Sequence, residues 1–232
     1  MTKKPLMIHL PNSFQPFCDD LIFGMTQKDF GSLNDESRDF DFFLKKLAQE
    51  TKGIQPVFAN QMHGEDVMVI KNPPRIKPEC DGFITRQKKV PLLIKIADCQ
   101  GVLIYDFQTK TVAAVHSGWR GSAKNIIGKT IKTMKEMGCN ASDLVIAISP
   151  SLGSCCAEFS DPFRELPKEC HPYIMPKNRV DFWSLSKEQC LEQGVPESQI
   201  EITGICTQCH PESCFSHRNG DLGRMGAFIM LK

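Results

Sequence analysis

Apolar positions along this 232-residue chain follow two periods, one near two and one near 3.6, and the middle of the chain carries both most clearly. Val90–Ala97 is a nearly continuous apolar run, Gly101–Tyr105 a second, and Thr111–Val115 a third, rich in β-branched residues and alanine; all three read as strands. Phe107–Lys110 supplies a turn, so the second and third form a hairpin. The stretch 117–121 then opens a helix predicted over Ser122–Met137. Its Ile126, Ile127, Ile131 and Met134 share one face, and Gly138 is its stop. Upstream, Leu21–Met25 reads as a strand and Asp39–Lys52 as a helix with Phe40, Phe43, Leu44 and Leu47 on one side. Ile54–Ala59 and Val67–Ile70 read as strands flanking residues 61–64, and Gly82–Thr85 is a short apolar run. Downstream come a buried strand at Leu144–Ile148, a polar helix around Leu185–Glu192, and strands at Gln199–Gly204 and Met225–Leu231. The expected class is α/β (α+β): a layered fold with a mixed sheet. The longest irregular stretches, 72–80 and 162–179, are short enough to be loops, so residues 1–232 are expected to form a single domain.

Composition narrows the function classes. Hydrophobic residues at 41% and charged residues at 24% suit a soluble globular protein. A formal charge of +1 argues against nucleic acid as partner, and the Lys3–Lys4 and Arg86–Lys89 runs read as solvated surface. The chain has no apolar stretch of about 18 residues to span a membrane, and residues 1–10 do not resemble a signal peptide. Eleven cysteines, an odd number without an export signal, fit free thiols in a reducing cytoplasm better than a disulfide framework.

Cysteines near histidines then become candidate ligands. In the expected hairpin, opposed residues have numbers summing to about 215–217, which sets Cys99 opposite His116 or its neighbour. Opposed side chains stand ~5 Å apart, close enough to share a metal at ~2.3 Å for sulfur and ~2.0–2.1 Å for nitrogen. On spacing alone, a buried thiol and a satisfied histidine at a strand end are the favoured reading of the pair. His63, in a Gln61-Met-His-Gly64 loop, has no local reason to approach. Two neighbours favour a site. Asp98 ends a long apolar strand, a costly place for an unpaired acid. Arg120 sits in Ser117-Gly-Trp-Arg-Gly121 at a helix start, suited to phosphate or carboxylate. Cys206-Thr-Gln-Cys209-His210, with Cys214 beyond, is a candidate second metal site that lacks a second pair at zinc-finger spacing, and Cys155–Cys156 read as buried packing.

Gln61-Met-His-Gly64, Ala97-Asp-Cys99, Val115-His-Ser-Gly-Trp-Arg-Gly121, Ser149-Pro-Ser-Leu-Gly-Ser-Cys-Cys156 and Phe215-Ser-His-Arg218…Gly223-Arg-Met225 occur in this order. Together they resemble the laccase-domain (polyphenol oxidase) family of purine nucleoside phosphorylases, from about Gly24 to the C-terminus. The resemblance implies a layered α/β sandwich and one zinc ion held by His63, Cys99 and His116. It implies phosphorolysis of adenosine, inosine and methylthioadenosine together with adenosine deamination, or editing of peptidoglycan precursors. Cys99, His116 and Arg120 would be catalytic; Asn34, Arg120 and Arg218 would contact nucleoside and phosphate. The chain would act as monomer or homodimer. It departs from the family at Ser149-Pro150, where Gly-Pro is usual, and at His217 and Asn219, where Tyr and Arg are usual. Three protein ligands leave zinc an open position, the pattern of a catalytic site. A metal-free cysteine hydrolase, with Cys99 as nucleophile and His116 as base, is the competing reading, and a binding module without turnover is another. Copper is the less favoured ion: six histidines and no His-x-His do not suit a multicopper oxidase.

Overall fold

A computed structural model describes residues 8–34 and 39–232; the Lys3–Lys4 run lies outside them. The strands are β1 (Ile8–His9), β2 (Leu21–Thr26), β3 (Val67–Ile70), β4 (Gly82–Thr85), β5 (Leu92–Ile96), β6 (Gln100–Asp106), β7 (Thr111–Ser117), β8 (Leu144–Ile148), β9 (Ile174–Met175), β10 (Arg179–Val180), β11 (Ile200–Ile202) and β12 (Met225–Leu231). The α-helices are α1 (Phe40–Glu50), α2 (Trp119–Ala123), α3 (Ile126–Glu136), α4 (Pro162–Glu165) and α5 (Phe182–Glu192). An antiparallel sheet has the order β1-β2-β12-β5, and a mixed sheet the order β11-β8-β6-β7-β4-β3. This is the expected layered α/β architecture with a mixed sheet.

The middles of the central strands are apolar because both of their faces are covered, and their polar residues fall at the ends, as with Gln100 and Asp106 of β6 and Thr111, His116 and Ser117 of β7. In β6, Leu103 and Tyr105 point toward the antiparallel sheet, while Val102 and Ile104 point toward α3. In β12, Ala227 and Ile229 face the mixed sheet, while Phe228 packs with Phe43 and Leu47 of α1. The layers therefore run α1, antiparallel sheet, mixed sheet, then α3 with α5. Gly101 shows how closely the sheets approach, since a Cβ there would stand 2.7 Å from Ala227 Cβ.

Several elements differ from expectation for identifiable reasons. Ile54–Ala59 makes no strand, only a bridge from Val57 to Leu92, because Pro56 lacks the N–H a ladder needs. The helix expected over 122–137 is two helices. Asn125 breaks it with a left-handed backbone (φ 58°), and its side chain accepts from Gly128 N–H to start α3. Helix α5 begins three residues before Leu185 because the Asp181 carboxylate caps Trp183 and Ser184. The last short strand keeps only Ile200–Ile202. Cys155 and Cys156 are not core: the first is exposed and the second half-buried.

Candidate metal centre

The site lies where the gap between the two sheets opens, past the end of β5 and the start of β6. His116 belongs to β7 and shares its inward face with Val112 and Ala114. The hairpin register pairs Gly101 with His116 and Gln100 with Ser117, a sum of 217, at the edge of the expected range. Cys99 is thus diagonal to His116, not opposite it. The position facing Cys99 is Gly118, whose missing side chain makes room for the thiol. A Cβ on Gly118 would stand 2.9 Å from Cys99 Sγ and 3.3 Å from His63 Cδ2.

His63 reaches the hairpin through Asp81, a residue the sequence reading passed over. The Asp81 carboxylate is buried and accepts N–H groups from Met62 (3.2 Å), His63 (2.9 Å) and Gly64 (2.7 Å). It also accepts from His116 Nδ1 at 2.8 Å, and its carbonyl accepts the His116 N–H at 2.7 Å. One carboxylate therefore folds the 62–64 loop, with His63 in a left-handed conformation (φ 56°), against the strand that carries His116. Gln61 pins the other end, exchanging two hydrogen bonds with the Lys95 backbone at 2.7 and 2.8 Å. The only sign of Asp81 in the sequence is an acid between Cys80 and the apolar run at Gly82.

One ligating atom from each of His63, Cys99 and His116 lies within 4.8 Å of the others. The two imidazoles meet edge to face with centroids 4.7 Å apart. Burial opposes charge on the Cys99 thiol, yet His116 and His63 outweigh it and draw its pKa down to about 6. Burial also opposes charge on His116, but the Cys99 sulfur and the Asp81 carboxylate outweigh it and carry its pKa up to about 9. Near neutral pH this is a thiolate–imidazolium pair. With Nδ1 held by Asp81, His116 offers Nε2 as its donor after losing one proton. Two imidazoles and a thiolate are borderline-soft donors that suit zinc, and the carboxylate behind one of them is the usual support for a metal-bound histidine. The residues fit the ion.

Above the three donors is a cavity of about 620 Å³, lined among others by Asn34, Lys95, Arg120, Arg218 and Arg224. Lys95 and Arg224 were not foreseen as part of it. Arg120 stacks on Trp119, 4.1 Å from the ring centroid. It belongs to α2, a five-residue turn with little of the dipole expected of a long helix. Arg218 is tied down: its guanidinium donates to the carbonyls of Cys156 (3.1 Å) and Glu158 (3.3 Å). Asn34 Nδ2 donates to the Leu222 carbonyl at 2.9 Å. Asp98 is paired, as its cost demands. Its carboxylate accepts from Thr207 Oγ1 (2.6 Å) and Arg218 N–H (2.7 Å), fixing the strained turn (φ 78°) that presents Cys99. Among the described residues, Lys95, Arg120, Arg218 and Arg224 bring lysine and arginine charge to the cavity, and the carboxylate that lines it, Asp98, is already bonded.

The sequence profile of the family described as multi-copper polyphenol oxidoreductase laccase matches residues 29–232. A purine nucleoside phosphorylase of Bacteroides thetaiotaomicron is 34% identical over 164 residues, 65% of this chain and 60% of the relative. The match thus spans less than two thirds of that relative's length. The purine nucleoside phosphorylase YlmD of Bacillus subtilis is 30% identical over 237 residues, 90% of this chain and 85% of the relative. The crystal structure of the hypothetical protein YfiH from Bacillus licheniformis superimposes with a TM-score of 0.85 at 26% identity, covering 98% of this chain and 97% of that one. No helix among the described residues is long and apolar enough to cross a membrane.

Proposed function

Since this chain belongs to the multi-copper polyphenol oxidoreductase laccase family, several of whose relatives are named purine nucleoside phosphorylases, we propose that it is a zinc-dependent purine nucleoside phosphorylase that also deaminates adenosine. We read its 232 residues as one domain and its substrates as adenosine, inosine and methylthioadenosine with phosphate. The observation that carries the proposal is a set of three converging metal donors at the floor of a cavity rimmed with cations.

His63, Cys99 and His116 would hold the ion, and Asp81 would orient His116. When bound, zinc supplies Lewis acidity toward a substrate atom or a water. The cationic rim does the rest of the binding. Phosphate approaches as a dianion: Arg120 is the residue suited to bond it beside the ribose, while Lys95, Arg218 and Arg224 add positive charge to the rim. Held there, its oxygen is placed to attack the anomeric carbon as the purine leaves, a gain from orientation alone. Asn34, at the cavity's edge, is suited to contact the nucleoside.

The test is incubation of the purified chain with adenosine, with and without phosphate, followed by chromatography. Adenine and ribose 1-phosphate only when phosphate is present, alongside inosine in both conditions, is the expected result. Neither product from a metal-loaded chain would sink the proposal.

One observation favours a second reading. Cys99, His116 and Asp81 form a thiolate–imidazolium–carboxylate series, the arrangement of a cysteine hydrolase. That reading gives His63 no task. Activity that survives complete removal of metal by a chelator would support it over the zinc enzyme.

A further inference from the structure

Away from the proposed active site, four more cysteines converge. Cys155 and Cys156 follow the turn after β8, and Cys206 and Cys209 lie in the turn after β11. Their sulfurs all lie within 4.8 Å of one another. Cys209 Sγ is 3.5 Å from Cys156 Sγ and 3.7 Å from Cys155 Sγ. Four sulfurs bonded to one tetrahedral zinc at ~2.3 Å stand about 3.8 Å apart along each edge. A disulfide would need ~2.05 Å. These separations match the metal geometry without requiring the backbone to move far.

We propose that Cys155, Cys156, Cys206 and Cys209 form a second metal site, a structural tetrathiolate for zinc, separate from His63, Cys99 and His116.

The surroundings are built for it. The two turns are zipped together up to the cluster. Ser151 N–H donates to the Ile205 carbonyl (3.1 Å), and Thr207 N–H to the Ser151 carbonyl (3.0 Å). Gly153 N–H donates to Cys206 Sγ at 3.3 Å, the kind of bond that supports a metal thiolate. Gly153 also has no room for a side chain: a Cβ would stand 3.1 Å from Cys206 Cβ, 3.3 Å from Cys155 Sγ and 2.9 Å from Trp183. Four protein donors close the coordination sphere, which makes the site structural rather than catalytic. His210 and Cys214, the ligands suggested by sequence spacing, are not in the cluster. His210 Nδ1 bonds the Cys206 carbonyl instead, and Cys214 is buried elsewhere in the core.

Its position gives the ion a purpose. The same turns hold the cavity wall. Leu152 N–H donates to the Asp98 carbonyl (2.8 Å), Thr207 Oγ1 to the Asp98 carboxylate, and Arg218 to the Cys156 carbonyl. A zinc ion here would clamp the turn that presents Cys99.

The test uses the full chain carrying Cys99→Ser, which disables the first site. It is reduced, stripped with chelator and titrated anaerobically with Co2+. The expected result is about one equivalent bound with intense thiolate-to-cobalt charge-transfer absorption, displaced by Zn2+. Adding Cys206→Ser and Cys209→Ser should abolish that absorption. Should the multiple variant not fold, Cys156→Ser alone should weaken the absorption. The unaltered chain should then carry about two zinc ions by mass spectrometry, one of them retained in Cys99→Ser. Absence of cobalt uptake by the reduced Cys99→Ser chain, or uptake unchanged by the cysteine substitutions, overturns the proposal. So does a pair of these cysteines recovered as a disulfide that no metal prevents.

Discussion

Asp81 Oδ1 lies 2.8 Å from His116 Nδ1, and the same buried carboxylate collects three successive N–H groups from the loop that carries His63. Two of the proposed metal ligands, from distant parts of the chain, are thus oriented by one acid. Asp81→Asn keeps the shape but loses the charge that supports His116. Loss of such a partner costs about 10–100-fold in metal affinity. Chelator competition on the variant should show a drop in that range with a near-native circular dichroism spectrum. Unchanged affinity would mean that Asp81 serves only the loop.

Gly118 offers a separation of fold from metal. Its backbone is ordinary (φ −75°), so alanine is tolerated conformationally. The added methyl, however, meets Cys99 Sγ at 2.9 Å and His63 at 3.3 Å. Gly118→Ala should therefore purify as a folded chain with little metal at the first site and correspondingly little turnover. Full metal content at that site would show that Cys99 and His63 can retreat without losing the ion.

The contrast between these residues shows what a linear reading can see. The hairpin β6–β7 and the amphipathic face of α3 are legible because strand and helix periodicity are local properties, and the hairpin alone sets Cys99 near His116. The break at Asn125 was missed because the hydrophobic period of α3 runs straight through it. Pro56 was present in the expected strand at Ile54–Ala59, but the apolar residues around it outweighed its missing donor. Asp81 was overlooked because its partners lie up to 35 residues away, and no local pattern marks a residue whose role is to collect distant donors. The four-cysteine cluster was hidden for the same reason. Its halves are some 50 residues apart and meet only through the turns after β8 and β11.

Tyr105 gives a pH dependence with a definite sign. It is fully buried, and its hydroxyl donates to Asp20 at 3.0 Å. Burial is the main cause, assisted by the Asp20 carboxylate, of a pKa pushed up to about 12 from an ordinary 10. The folded chain therefore holds this proton more tightly than the unfolded chain. The resulting stability is fully present below pH 10 and is lost as pH rises from 10 through about 12. Denaturant midpoints measured across this window should fall more steeply for the unaltered chain than for Tyr105→Phe. Parallel curves would exclude the assignment.

Arg120 and Arg218 line the same cavity but are held differently, and kinetics should tell them apart. Arg120 rests on the Trp119 ring, so its guanidinium can turn toward an anion without dismantling a loop. Arg218 is bonded to the carbonyls of Cys156 and Glu158, and its N–H holds Asp98. If phosphate is bound by Arg120, Arg120→Ala removes a charge-assisted bond worth about 1.5–3 kcal/mol. That corresponds to a rise of roughly 10–100-fold in KM for phosphate, with thermal stability and zinc content unchanged. Arg218→Ala should instead lower Tm and reduce kcat for phosphorolysis and deamination alike, because it loosens the wall behind Cys99. A phosphate KM that rises for Arg218→Ala and not for Arg120→Ala would reverse these roles.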